Sequence, residues 1–268
     1  MFGARWIGAG VTVALLALGA GKAMGQSTVA STADHRHGLL HARPHLVHAP
    51  AAVAGTQPLG ITPRDGLLYV PTSYRPDRPP ALMLLLHGAG ARAEDIFKTF
   101  RQIADDHGVL LVVPSSRGQS WDVVLGHYGE DVARIDKALT RVLDRYAVDP
   151  ARIAIAGFSD GASYALSLGI LNGALFTHVL AFSPGFTASS NAPLHPRIFV
   201  SHGLTDSVLP IDQTSRKIVP RLRQNGFEVV YREFPDGHVV PPELADEAFN
   251  WFVKGESKAA ILQGQLPD

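Results

Sequence analysis

The chain has 268 residues, a formal net charge of zero at pH 7, 46% hydrophobic residues and no cysteine. A zero balance without a lysine- or arginine-rich stripe gives no electrostatic footprint for nucleic acid. The missing cysteine excludes disulfides, thiolate nucleophiles and cysteine metal sites. The length suits one α/β domain with a sizeable core.

The first 25 residues read as an export signal, with Arg5 ahead of the apolar stretch Ile7–Ala20 and a small-x-small pattern at Ala23-Met24-Gly25. That stretch is too short for a comfortable membrane span, so no stable membrane insertion is expected once the signal is removed. Residues 26–58 are rich in Ala, Pro, Ser and His and show no sustained period. They are expected to form a polar arm or linker over the surface. His35, His37, His41, His45 and His48 lie in it, but their spacing fits no single helix face and no carboxylate cluster accompanies them, so no metal site is assigned.

The main folded domain is expected over residues 59–268. Short apolar runs there predict strands at Leu67–Val70, Leu82–Leu86, Val109–Val113, Ile153–Ala156, His178–Phe182, Ile198–Ser201 and Val229–Phe234. Helices are predicted at Glu94–Asp106, Asp131–Tyr146, Gly161–Leu171, Thr214–Asn225 and Pro242–Phe252. The runs 82–86 and 109–113 are apolar without alternation, as for strands covered on both faces. Strand–helix alternation predicts a largely parallel sheet with helices on both sides. The chain from Ser183 to Arg197 is too short for a cap domain and carries Pro184, Pro193 and Pro196.

The run Gly157-Phe158-Ser159-Asp160-Gly161 falls between a predicted strand and a predicted helix. In that setting a serine sits on a strained turn at a helix N-terminus, exposed for attack and close to a dipole that favours negative charge. A serine hydroxyl needs a base to take its proton. His238, in the loop after the last strand, is preferred over His202, which precedes Gly203 and reads as part of a structural turn. Asp206, in the loop after the penultimate strand, is the expected carboxylate partner. Asp212 lies further out, and Asp236 is too close to His238 in sequence to fold back onto the ring. His87-Gly88-Ala89-Gly90 follows another buried strand, so the oxyanion donors are expected at the Ala89 and Asp160 N–H groups. His87 itself reads as a hydrogen-bonded structural residue. Trp121 is expected to form a substrate-binding wall or to cover the sheet edge; Asp122 is given no chemistry.

The stretches "RDGLLYVP", "LLLHGAGARAED", "PSSRGQSWD", "VDPARIAIAGFSDGASYALSLG", "FSPGF", "VSHGLTDSVLPID" and "DGHVVPPE" span about residues 60–255. In them the chain resembles the α/β-hydrolase superfamily, and within it the phospholipase/carboxylesterase-type predicted esterases near the polyhydroxybutyrate-depolymerase-like group. The resemblance implies an α/β-hydrolase fold with a mostly parallel sheet of about seven or eight strands, helices on both faces and no cap. It implies ester hydrolysis through an acyl-enzyme, with Ser159, Asp206 and His238 as the triad, Ala89 and Asp160 as the oxyanion residues, and no cofactor. The expected partner is a small-molecule or polymeric ester. The same three side chains also serve amide bonds, so a serine peptidase or amidase is the alternative, followed by a non-catalytic binding protein of this fold.

Overall fold

The computed structural model describes residues 32–254 except 49, 52, 63–64, 190–191 and 193; the expected export signal lies outside the described residues. Strands β1 (Gly55–Pro58), β2 (Gly66–Val70), β3 (Leu82–Leu86), β4 (Leu110–Pro114), β5 (Ile153–Phe158), β6 (His178–Phe182), β7 (Arg197–Gly203) and β8 (Val229–Phe234) build one 8-stranded sheet. Its order is β1-β2-β4-β3-β5-β6-β7-β8. The β1–β2 and β2–β4 pairs are antiparallel. All pairs from β4 through β8 are parallel.

The helices are α1 (Ala93–Asp106), α2 (Glu130–Leu143), α3 (Asp160–Leu171), α4 (Ser215–Gln224) and α5 (Pro242–Lys254). In β3, Leu82, Leu84 and Leu86 enter one core, while Met83 and Leu85 enter the other. That is the alternation of side chains on a pleated strand. The first core is covered by α2, through Val132, Ile135 and Leu139, and by α3 and α4. The second is covered by Phe97 and Phe100 of α1 and by Phe249 and Phe252 of α5. Apolar residues three or four apart place each of these stripes on one helix face. Helix α3 is buried almost throughout, which suits its place across the central strands. Helix α2 ends before the expected Tyr146, whose N–H still reaches the Val142 carbonyl in a trailing turn.

The arm departs from its expected description. Its last residues form β1, the sheet's edge strand, so the arm is in part structural. Further upstream it is pinned by distant side chains. Asp136 of α2 accepts hydrogen bonds from the His41 and Ala42 N–H groups, each at 2.8 Å, and from His35 Nε2 at 2.8 Å. Asn172, at the end of α3, accepts from Leu40 N–H and donates to the Gly38 carbonyl, again at 2.8 Å. Leu40 and Ala42 are buried. Periodicity carries no sign of this, because the anchors are single polar side chains more than 90 positions away. Asp136→Ala is expected to lower stability by about 2–3 kcal/mol, since three donors lose their acceptor. Urea unfolding checks this; an unchanged midpoint would show that the arm is not anchored there.

His178 at the start of β6 is enclosed by Trp251 and Phe252, with ring centroids at 4.9 and 5.2 Å. Burial, with the nearby Arg197 charge, pushes its pKa down to about 4. The folded state therefore binds this proton less readily than the unfolded chain, whose histidines titrate near 6.5. Stability from this group is complete above about pH 6.5 and declines as pH falls toward 4, by up to about 3 kcal/mol. His178→Phe is expected to flatten that acid slope in unfolding measurements made from pH 7 to 4.

Candidate active site

Ser159 joins the central strand β5 to α3 with φ 58° and ψ −121°, a left-handed conformation that costs energy for any residue but glycine. The flanking glycines make the turn feasible. A Cβ on Gly157 would collide with the Gly161 carbonyl, and one on Gly161 with the carbonyls of Leu86 and His87. The Ser159 backbone N–H is held by the Phe182 carbonyl at 2.9 Å. The hydroxyl thus stands at the carboxyl ends of the strands and at the N-terminus of α3.

His238, in the loop between β8 and α5, places Nε2 2.9 Å from Ser159 Oγ. Its Nδ1 lies 2.6 Å from Asp206 Oδ2, in the loop after β7. The carboxylate fixes the tautomer: Nδ1–H donates to Asp206, which leaves Nε2 to accept the serine proton. Phe158 lies against the imidazole, with centroids 4.7 Å apart. The other Asp206 oxygen accepts from the Val208 and Leu209 N–H groups at 2.9 and 2.8 Å. Burial raises the Asp206 pKa, but the bonds from Leu209, His238 and Val208 outweigh it and hold the carboxyl below the usual range. Asp206 therefore stays ionised at neutral pH.

His202 is also nearby, in a different setting. It is fully buried, with Nδ1 2.6 Å from Ser215 Oγ and Nε2 2.8 Å from the Leu209 carbonyl. The carbonyl requires Nε2 to carry the proton, so Nδ1 accepts from Ser215. Nε2 also lies 3.2 Å from Asp206 Oδ2. Burial pushes its pKa down. Neither nitrogen is left for Ser159. His202 instead ties the Asp206 loop to α4, a supporting role hinted at in the sequence only by the turn-like context at Gly203. Asp236 is exposed, with its carboxylate on Gly237 N–H, and Asp212 pairs with Arg216.

The loop after β3 closes over the serine. A Cβ on Gly88 would stand 3.3 Å from Ser159 Cβ, so this loop lies directly against Ser159. Among the described residues, no hydrogen bond is recorded from the Ala89 or Asp160 backbone N–H. The Asp160 carboxylate accepts from Ser120 Oγ at 2.6 Å. His87 holds the loop from beneath. Its Nε2 accepts from Ser116 N–H at 3.0 Å, and Nδ1 donates to the Gly88 carbonyl at 2.8 Å. Burial lowers its pKa and keeps it neutral.

Trp121 is a correction to the expected substrate wall. The ring is fully buried, donates from Nε1 to the His87 carbonyl at 2.8 Å, and stacks on Tyr164 at 5.2 Å. It has no free face for a ligand. The sequence suggested a pocket wall or cover for the sheet edge at Trp121, but not that α3 would bring Tyr164 beneath it. Asp122 accepts from Tyr164 OH at 2.9 Å and exchanges backbone-to-carboxylate bonds with Asp131, so its role is structural.

The sequence profile of the family described as "Putative esterase" matches residues 62–217, more than half of the chain. The chain belongs to this esterase family. The matched span includes Ser159 and Asp206 and ends before His238. Feruloyl esterase C of Emericella nidulans is 29% identical over 160 residues, which covers 57% of this chain and 58% of that protein. The chain therefore matches less than two thirds of that relative's length. A poly(3-hydroxybutyrate) depolymerase of Ralstonia pickettii is 26% identical over 136 residues, covering 42% of this chain and 28% of the relative. Among solved structures, esterase PE8 is similar with a TM-score of 0.53 and 22% identity, over 75% of this chain and 99% of that one. The α/β-hydrolase-type architecture of this esterase-family chain, mostly parallel with helices on both faces, agrees with that likeness. Between β6 and β7 the described residues form no cap.

Proposed function

We propose that the chain is an exported carboxylic ester hydrolase working through a serine acyl-enzyme. The observation that carries this reading is the continuous chain Asp206–His238–Ser159, with spacings of 2.6 and 2.9 Å, at the N-terminus of α3. His238 Nε2 takes the proton from Ser159 Oγ as the oxygen attacks the ester carbonyl. The developing oxyanion is met by the N–H groups of Ala89 and Asp160, the second of which also stands at the positive end of α3. His238 then gives the proton to the departing alcohol. Water, activated by the same imidazole, releases the acid. Asp206 keeps the tautomer correct and stabilises the imidazolium. No cofactor enters this sequence of steps.

Export is supported by the apolar N-terminal stretch and the small-residue pattern before Gln26. Among the described residues no helix is long and apolar enough to cross a membrane. N-terminal sequencing of the protein recovered outside the cytoplasm is expected to begin near Gln26. A chain beginning at Met1 and held in the membrane fraction would overturn cleavage.

The enzymatic test is a panel of p-nitrophenyl esters from acetate to palmitate, with methyl ferulate included because of the feruloyl esterase relative, beside an anilide. Turnover of esters far above the anilide is expected. Efficient anilide cleavage with inert esters would favour the amidase alternative.

A further inference from the structure

Helix α3 is largely apolar and buried almost throughout, yet it carries Ser163 and Ser167, one turn apart on the same face and both fully buried. A serine that only bonds back to its own helix slightly weakens it. Here each hydroxyl also has a partner outside the helix. Ser163 Oγ donates to the Ser159 carbonyl at 3.2 Å and accepts from Gly185 N–H at 2.9 Å, with Phe186 N–H further off at 3.4 Å. Ser167 Oγ donates to the Ser163 carbonyl at 2.7 Å and accepts from Ala188 N–H at 2.8 Å. The two serines thus hang the loop that follows β6 on the helix that follows Ser159.

The Ser163 hydroxyl also joins two strained turns. Among the described residues, Ser159 and Ser183 are the non-glycine residues with positive φ, at 58° and 53°. They stand at the ends of the adjacent strands β5 and β6, and the Ser159 N–H is held by the Phe182 carbonyl. Such conformations persist only where the surroundings hold them. Ser163 Oγ grips the first turn at the Ser159 carbonyl and the second two residues past Ser183. Gly185 in turn lies against the carboxylate loop. A Cβ there would stand 3.3 and 3.4 Å from the two Leu209 methyl carbons and 3.5 Å from Ser163 Oγ. Leu209 N–H binds Asp206 Oδ1 at 2.8 Å, and its carbonyl receives His202 Nε2. One hydroxyl therefore stands behind both the Ser159 backbone and the loop that holds Asp206 against His238.

Resting on the serine-hydrolase reading above, we infer that Ser163 is a positioning residue for ester hydrolysis, its hydroxyl setting the Ser159 turn and the Asp206 loop in register with each other. It touches no reacting atom. It acts through the Ser159 carbonyl on the turn that carries Oγ, and through Gly185 and Leu209 on the Asp206 carboxylate. Proton transfer needs Oγ, the imidazole and the carboxylate aligned, and a misplacement of about 1 Å can cost about 100-fold in rate. Ser167 makes the same number of bonds from the same helix to the same loop, but reaches neither Ser159 nor Gly185. It anchors the loop without connecting the two turns.

The test compares Ser163→Ala with Ser167→Ala in the whole protein, using p-nitrophenyl acetate as substrate and a fluorophosphonate as label, well below both melting temperatures. Both variants are expected to melt about 2–6 °C below the parent, because each leaves one loop N–H without its acceptor. Only Ser163→Ala is expected to lose kcat, by about tenfold, with KM within about twofold of the parent's and labelling slowed by the same factor as kcat. Ser163→Cys fills the site with a weak donor and acceptor and is read in the same way should the alanine variant not fold. A parent-like kcat at position 163, an equal loss in Ser167→Ala, or a raised KM with kcat unchanged would each overturn the inference. In those cases an active, labelled parent leaves the hydrolase reading standing. A folded parent that neither cleaves the ester nor takes the label overturns that reading and the inference with it.

Discussion

Ser159→Ala is expected to abolish labelling by a fluorophosphonate and to reduce ester turnover by about 10⁴-fold or more, with the melting temperature close to the parent's. The hydroxyl's recorded partner is His238, so its removal leaves the turn's backbone contacts in place. His238→Ala is expected to be nearly as damaging, because nucleophile and base act as one unit and their effects do not add. His202→Ala should behave differently. It leaves a cavity in the buried interior and strips partners from Ser215 and the Leu209 carbonyl, so stability falls by about 2–4 kcal/mol. Activity measured well below its melting point should survive better than in His238→Ala. An active His238→Ala beside a folded but dead His202→Ala would refute the assigned base.

The second large effect belongs to the backbone. Gly161→Ala is expected to cost more than about 4 kcal/mol or to prevent accumulation of folded protein, since the new methyl meets two carbonyls of β3's end rather than a movable side chain. The neighbouring Gly157 faces the Gly161 carbonyl in the same way. Circular dichroism and thermal unfolding of Gly161→Ala beside Ala162→Ser provide the measure. A Gly161→Ala protein as stable as the parent would mean that the turn between β5 and α3 is looser than its geometry.

These two effects explain why much of the site could be read from the chain. Gly157 and Gly161 are required by contacts within a few residues or with one adjacent strand, so their spacing around Ser159 is visible locally. Asp206 and His238 were found through order: both follow late strands whose carboxyl ends lie along the same edge as β5. What stayed hidden depends on contacts between elements far apart in sequence. The anchoring of the arm rests on Asp136 and Asn172, two polar residues on helices. β1 is only four residues long and carries Gly55 and Pro58, which read as loop. Trp121 could be placed near the site from its neighbours, but its burial is decided by Tyr164 and the His87 carbonyl.

The hydrogen bond from Trp121 to the His87 carbonyl gives the protein a built-in optical reporter. The chain has three tryptophans, and Trp6 lies in the segment expected to be removed on export. The processed protein then holds two indoles. Trp251, on α5, sits on the opposite side of the sheet, against His178. Trp121 alone touches the loop that carries Ala89. Its emission should therefore follow displacement of that loop during a single acylation event, and substitution of Trp251 by phenylalanine would leave one fluorophore whose signal reports on the reaction centre without any attached dye.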